Sequence, residues 1–239
     1  MTSFAALPAT RTAPTAEVSG PPVVLVHGFA SNGAADWPAE RWADALAAAG
    51  RETIVVHLPG HVGGPAVSSA DEVTTTQVLG RIAAAVGDQE VDVVGYSLGA
   101  RLAWDLVSSV RVRRLVLGGL SPMEPFGAVD LAAARAAVQG GPQPTDMLTG
   151  IITSMVAQQD ATSLLLLVEG LAREPFNPAA GAPTVPTLFL AGEADPMAQG
   201  IDHLVGLVPD ARLVRVPGDH LGALAGEDLR KAVFEFLDI

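Results

Sequence analysis

Six short runs of largely apolar residues constrain this chain more than anything else in it: Val23–His27, Thr53–Leu58, Val91–Gly95, Val112–Leu120, Val185–Gly192 and Ala211–Gly218. Most lack the strict apolar–polar alternation of a strand with one wet face, and all are short for a buried helix. They read as strands of a sheet covered on both sides. Between them lie segments with helical spacing: Trp37–Ala49, stopping at Gly50, then Thr74–Val86, Leu98–Val110, a stretch around Asp202–Val208, and a last one from about Glu227 to Leu237. Strands alternating with helices of this length predict an α/β fold, a mostly parallel central sheet with helices on both faces. The alternation breaks after Ser121. Residues 121–183 are rich in Ala, Leu and Met, carry no strand signal, and are interrupted by "GGPQP" and "EPFNP". They are expected to form a small helical cap inserted into a core made of 1–120 and 184–239, with Leu164–Leu167 as a buried turn of helix. Residues 1–20 hold at best a short edge strand before Pro21-Pro22 punctuates the chain.

Composition removes several function classes. The formal charge is −12, with thirteen arginines and a single lysine, Lys231. An acidic surface does not track phosphates, so a nucleic-acid partner is not expected. No stretch of membrane-spanning length stays apolar. The first thirty residues contain Arg11 but no basic segment followed by an apolar one, so no secretory signal is expected and a cytoplasmic location is the default. There is no cysteine, which removes disulfides, thiolate nucleophiles and Cys-based zinc sites. The five histidines include no pair with ligand spacing and acidic company, so neither a metal nor another cofactor is expected.

The chemistry points to "VVGYSLGAR", Val93–Arg101. Ser97 lies just beyond the Val91–Gly95 strand and just before the helix that starts at Leu98. A turn that sharp brings strand and helix nearly into contact, and Gly95 and Gly99 supply the missing side chains that let them cross. The arrangement is a nucleophile elbow. In a chain with 25 glycines the bare G-x-S-x-G pattern has roughly 0.1 chance matches. A serine that merely caps a helix is the competing reading, and the strand and helix on the correct sides weigh against it.

A serine hydroxyl at neutral pH needs a base, itself oriented by an acid. His220, in "VPGDHLGAL" after the last strand, is the expected base. Asp195, in "LFLAGEADPM" at the end of the preceding strand, is the expected acid, with a helix N-cap before Pro196 as its competing role. Glu193 is a weaker competitor, and Asp219 is assigned to the loop. The backbone N–H groups of Leu98 and Phe29 are the expected oxyanion donors, with Gly28 letting the backbone approach the substrate.

With "HGF" at His27–Phe29, "GYSLG" at Gly95–Gly99, and the Asp and Asp-His after the last two strands, the sequence resembles the α/β-hydrolase superfamily over residues 21–239. In that family's numbering Val23–His27 looks like the third strand, yet some twenty residues precede it, so the sheet is expected to be short by a strand. "LPGH" and "GYSLGARLA" resemble the branch holding small carboxylesterases and the menaquinone-pathway lyase that acts on a succinylated cyclohexadiene. Resemblance to the lyase would make Arg101 a substrate-carboxylate ligand, against a plain salt bridge. It would also require further cations in the cap, where only Arg135 and Arg173 occur. The family commonly has a histidine at the His27 position for loop support, and its loop at His57 and His61 is largely structural, although His61 could border the pocket. His203 is expected on the surface.

Met123, Phe126, Met147, Met155 and Phe176 would give the cap an apolar pocket wall, or else pack the cap's own core. An apolar wall over such a triad favours small to medium carboxylic esters, cleaved through an acyl-enzyme. The resemblance implies that a serine nucleophile excludes epoxide hydrolases and dehalogenases, which use aspartate there. A lyase or carbon–carbon bond hydrolase acting on an anionic substrate is the alternative. A non-catalytic ligand receptor is third, and the complete triad weighs against it.

Overall fold

The computed structural model describes residues 4–239; residues 1–3, the first of the predicted core, lie outside it. Its strands are β1 (Ala9–Thr12), β2 (Val23–Val26), β3 (Thr53–Val56), β4 (Val91–Tyr96), β5 (Val112–Gly118), β6 (Thr187–Gly192) and β7 (Ala211–Val216). They form one seven-stranded sheet in the order β1-β3-β2-β4-β5-β6-β7. Only β1 is antiparallel to its neighbour. Among the described residues one strand precedes β2, so the sheet begins one strand later than the family numbering implies.

The helices are α1 (Gly33–Asp36), α2 (Ala43–Ala48), α3 (Thr75–Val86), α4 (Leu98–Leu106), α5 (Leu131–Val138), α6 (Met147–Val156), α7 (Ala161–Arg173), α8 (Ile201–Leu207), α9 (His220–Ala225) and α10 (Glu227–Leu237). The pleat sends alternate strand residues into two cores. Val24, Val26, Ile54, Val93, Leu115 and Phe189 pack against α3, α4 and α8. Val23, Leu25, Val55, Val94, Val116 and Leu188 pack against Trp37, Trp42, α2, α9 and α10. Both faces of β2, β3, β4 and β6 are buried, which is why these runs are continuous rather than alternating. The insertion between β5 and β6 carries α5, α6 and α7, and its Ile152, Leu164, Leu165 and Leu171 extend the first core.

Asp92 is the one charge inside the Val91–Gly95 run. It is fully buried and receives Arg51, together with both Nε and Nη2 of Arg113 at 2.9 and 2.7 Å. This knot lies at the amino end of β4, opposite the end that carries the chemistry.

Two sequence expectations need correction. The helix expected over Trp37–Ala49 is realised as α2 alone. Pro38 keeps Trp37 out of the helical region (φ −125°, ψ 63°), and Trp37 and Trp42 instead stack edge to face at 4.9 Å. The loop expected after β7 contains a helix, α9, with His220 as its first residue. Asp219 is its N-cap, accepting from the Gly222 N–H at 2.8 Å. Gly222 hid this helix, since glycine disfavours helix interiors.

The strand order reverses at β2. The chain steps from β2 outward to β3, then returns to the other side of β2 as β4. The crevice at the carboxyl ends of β2 and β4 is therefore the switch point where such sheets place ligands.

Candidate active site

The turn between β4 and α4 is as sharp as the glycines predict. Ser97 has φ 54° and ψ −118°, a conformation that costs a non-glycine residue about 1–3 kcal/mol. A Cβ on Gly95 would come within 2.3 Å of the Gly99 carbonyl, and one on Gly99 within 2.0 Å of Val26 O. No other residue fits either position. The Ser97 N–H donates to Gly118 O at 2.8 Å, which ties the elbow to β5. Leu98 begins α4, so its N–H has no helical acceptor; among the described residues it donates to no protein group.

His220 and Asp195 come together across 25 residues of sequence. His220 Nδ1–H donates to Asp195 Oδ2 at 2.8 Å, which leaves Nε2 as the basic nitrogen. The Asp195 side chain is fully buried and its other oxygen accepts the Met197 N–H at 2.8 Å, so it serves as a helix cap and as the histidine's partner at once. Glu193 is exposed. The imidazole lies over the tip of β5: a Cβ on Gly119 would stand 2.7 Å from its Cε1, and the Tyr96 ring lies 5.1 Å away. The Tyr96 hydroxyl donates to the His220 carbonyl at 2.6 Å. Ser97 and His220 thus both rest on Gly118–Gly119 at the same end of the sheet. The structure does not close a hydrogen bond between them; the Ser97 hydroxyl has no partner among the described residues.

The loop after β2 faces the elbow, with the Gly28 Cβ position 3.4 Å from Ser97 Cβ. His27 Nδ1–H donates to Gly28 O at 2.9 Å, while its Nε2 accepts the Leu58 N–H at 3.2 Å. No peptide bond here is cis. Holding the Gly28 carbonyl toward His27 therefore turns the Phe29 N–H the opposite way, and that N–H donates to no protein group among the described residues. Asp36, missed in the sequence, accepts the Gly28 N–H at 2.7 Å and the Ser31 hydroxyl. No local pattern marks it, because its target lies eight residues upstream through a tertiary fold of the loop. Ala30 has φ 53° without being glycine, and its N–H donates to His61 Nε2 at 3.0 Å.

His27 and His61 use both ring nitrogens as neutral imidazoles, His61 through Pro59 O at 2.9 Å. Burial is the main reason both titrate low, His61 at about 3. The unfolded chain binds these protons near the ordinary value of 6.5, so stability is full above that pH and falls as pH drops from about 6.5 toward 3. Unfolding free energies from denaturant titrations at pH 7.5 and pH 5 should differ by about 2 kcal/mol for His61 alone. The His61→Asn variant should show a flatter dependence; an unchanged slope would remove His61 as its source. His57 pairs instead with Thr10 on the edge strand at 2.8 Å, and His203 is exposed.

The remaining expected substrate contacts divide. Phe126 is buried, its ring 5.4 Å from Phe29. Phe176 packs against Trp104 instead, at 5.7 Å. Met123 and Met147 stand 77% and 82% exposed, so neither has a packed place in a wall. Arg101 is buried rather than open to a ligand. Its Nε donates to Glu124 at 2.7 Å and its Nη2 to Thr75 Oγ1 and the carbonyls of Leu171 and Glu174, leaving only Nη1 unpaired. Glu124 also accepts the N–H groups of Phe126 and Phe176, so this pair clamps the two necks of the insertion.

The model of the alpha/beta hydrolase family matches residues 23–232. No curated protein matches the sequence. Among solved structures, MenH from S. aureus is similar at TM-score 0.71 and 21% identity, over 96% of this chain and 97% of that one. An enol-lactonase from Burkholderia xenovorans LB400 gives 0.73 and 17%, over 98% and 96%. A thermophilic esterase from Thermogutta terrifontis, with malate bound, gives 0.70 and 18%, over 97% and 93%. At these identities the likeness is one of fold.

Proposed function

The chain belongs to the alpha/beta hydrolase family, and from that premise we propose that it is a serine hydrolase of small to medium carboxylic esters, working through Ser97, His220 and Asp195. The observation that carries the reading is the His220 Nδ1–Asp195 Oδ2 hydrogen bond beside a strained serine elbow. A carboxylate on Nδ1 holds the imidazole in the tautomer whose Nε2 takes a proton, and it stabilises the imidazolium that follows. The mechanism calls for a rotation of the Ser97 side chain, which no hydrogen bond among the described residues restrains, to set its Oγ toward Nε2. As Oγ attacks the ester carbonyl, its proton passes to Nε2. The oxyanion then lies between the N–H groups of Phe29 and Leu98, which are free to receive it. The imidazolium returns the proton to the departing alcohol. Water, deprotonated by the same histidine, then releases the acid from the acyl-enzyme. Phe126, packed against Phe29, makes the neighbourhood of the oxyanion loop apolar, which suits an alkyl group better than a charged one.

The lyase reading asks for cationic groups facing a multiply anionic substrate. Arg101 is neutralised by Glu124, Arg135 pairs with Glu169, and Arg173 pairs with Glu169 and Asp71. That pairing favours the ester. The test needs no knowledge of the natural substrate: a fluorophosphonate should label the protein once, on the peptide containing Ser97, as read by mass spectrometry. Label on another serine would overturn the assignment. Among the described residues no helix is long and apolar enough to cross a membrane.

A further inference from the structure

We propose that Gln159, in the turn between α6 and α7, is a positioning residue for the oxyanion loop, so that the helical insertion helps to hold the Phe29 amide in line with Ser97. The inference rests on the serine-hydrolase reading above.

The loop from His27 to Ser31 must hold a left-handed alanine, Ala30, with φ 53°. An alanine leaves that region unless its surroundings hold it there. Hydrogen bonds grip it on both sides. The Ala30 N–H goes to His61 Nε2 at 3.0 Å, and the Ala30 carbonyl accepts from Gln159 Nε2 at 2.6 Å. The first partner belongs to the core and the second to the insertion. Gln159 is itself well anchored: its N–H donates to Val156 O at 3.0 Å and its carbonyl accepts the Ala161 N–H at 2.8 Å, joining the end of α6 to the start of α7. A cleft of about 250 Å³, lined by Gly60, His61, Val62, Gln158 and Gln159 among others, separates the turn from the loop after β3. Besides the Gln159 hydrogen bond the insertion meets the oxyanion loop through Phe126, whose ring lies 5.4 Å from that of Phe29, but that contact leaves the Ala30 carbonyl ungripped. If the grip on the Ala30 carbonyl is released, the residue can relax toward negative φ and carry the adjacent Phe29 amide with it. The Gly28 end stays fixed by Asp36 and His27, so the effect should be misalignment of one donor and not collapse of the loop.

Gln159→Ala and the isosteric Gln159→Glu, which replaces the donor by a carboxylate facing a carbonyl, should behave alike. For each, kcat on p-nitrophenyl butyrate and the rate of fluorophosphonate labelling should fall roughly tenfold to thirtyfold, less than the 10²–10³ expected for loss of a whole oxyanion donor. KM should stay within about twofold, because the effect is on the transition state. Melting temperature should not move, while amide hydrogen exchange over residues 27–31 should quicken about tenfold and that over 95–100 should not. If exchange over 27–31 is unchanged, or quickens with no loss of kcat, the inference is wrong. Wild-type rates in Gln159→Glu would also overturn it. A wild-type chain that takes no label overturns the hydrolase reading and this inference together, and is told apart from a labelled wild type that its variants equal.

Discussion

Ser97→Ala is expected to abolish turnover of p-nitrophenyl acetate and butyrate, a loss on the order of 10⁶ in kcat if the serine is the nucleophile of a cooperating triad. The fold should survive. The Ser97 hydroxyl makes no hydrogen bond with the described residues, and the N–H that ties the elbow to Gly118 is kept. The unfavourable φ of 54° is the same for alanine as for serine, so the variant should melt within a degree or two of wild type. Ser97→Gly should be equally inactive and modestly more stable, since glycine relieves about 1–3 kcal/mol of backbone strain and returns part of it as unfolded-chain entropy. Full esterase activity in Ser97→Ala, with fluorophosphonate label still incorporated, would remove the elbow from the mechanism.

The parts of the site that were legible in sequence are those set by local backbone demands. Gly95 and Gly99 announce a strand–helix crossing because no side chain fits there, and the apolar β-branched runs announce strands buried on both faces. The less legible parts depend on contacts distant in sequence. Asp36 is an ordinary carboxylate at the end of a four-residue helix until the fold sets it against the Gly28 N–H. Arg101, four residues after the serine, looks like a ligand for substrate until Glu124, 23 residues away, is seen to occupy it. Asp219 stands too close to His220 in sequence to curl back onto its imidazole and so reads as a loop residue, yet its side chain caps a helix. Ala30 gave no warning at all: the left-handed conformation is usually announced by glycine, and here His61 and Gln159 hold an alanine in it.

Asp195→Asn should cost about 10⁴ in kcat through the orientation of a proton, not through the loss of a structural contact. Asparagine can keep the cap, since its carbonyl oxygen can still accept the Met197 N–H that Asp195 Oδ1 accepts at 2.8 Å. That choice directs its NH2 group at His220 Nδ1, 2.8 Å from the present carboxylate oxygen. Two donors cannot share that line, so the imidazole moves its proton to Nε2, the nitrogen that must accept from Ser97. The base is then occupied while the fold is nearly untouched. Stability should change little and binding of a substrate analogue should remain, so the loss should fall on kcat and on the rate of fluorophosphonate labelling. Glu193 stands two residues earlier but is exposed, its carboxylate in no hydrogen bond or ion pair among the described residues, and Glu193→Gln should stay within about twofold of wild type. The two variants carry the same chemical change at neighbouring positions, so their ratio isolates orientation from charge. A greater loss from Glu193→Gln than from Asp195→Asn would mean that the imidazole takes its tautomer from elsewhere.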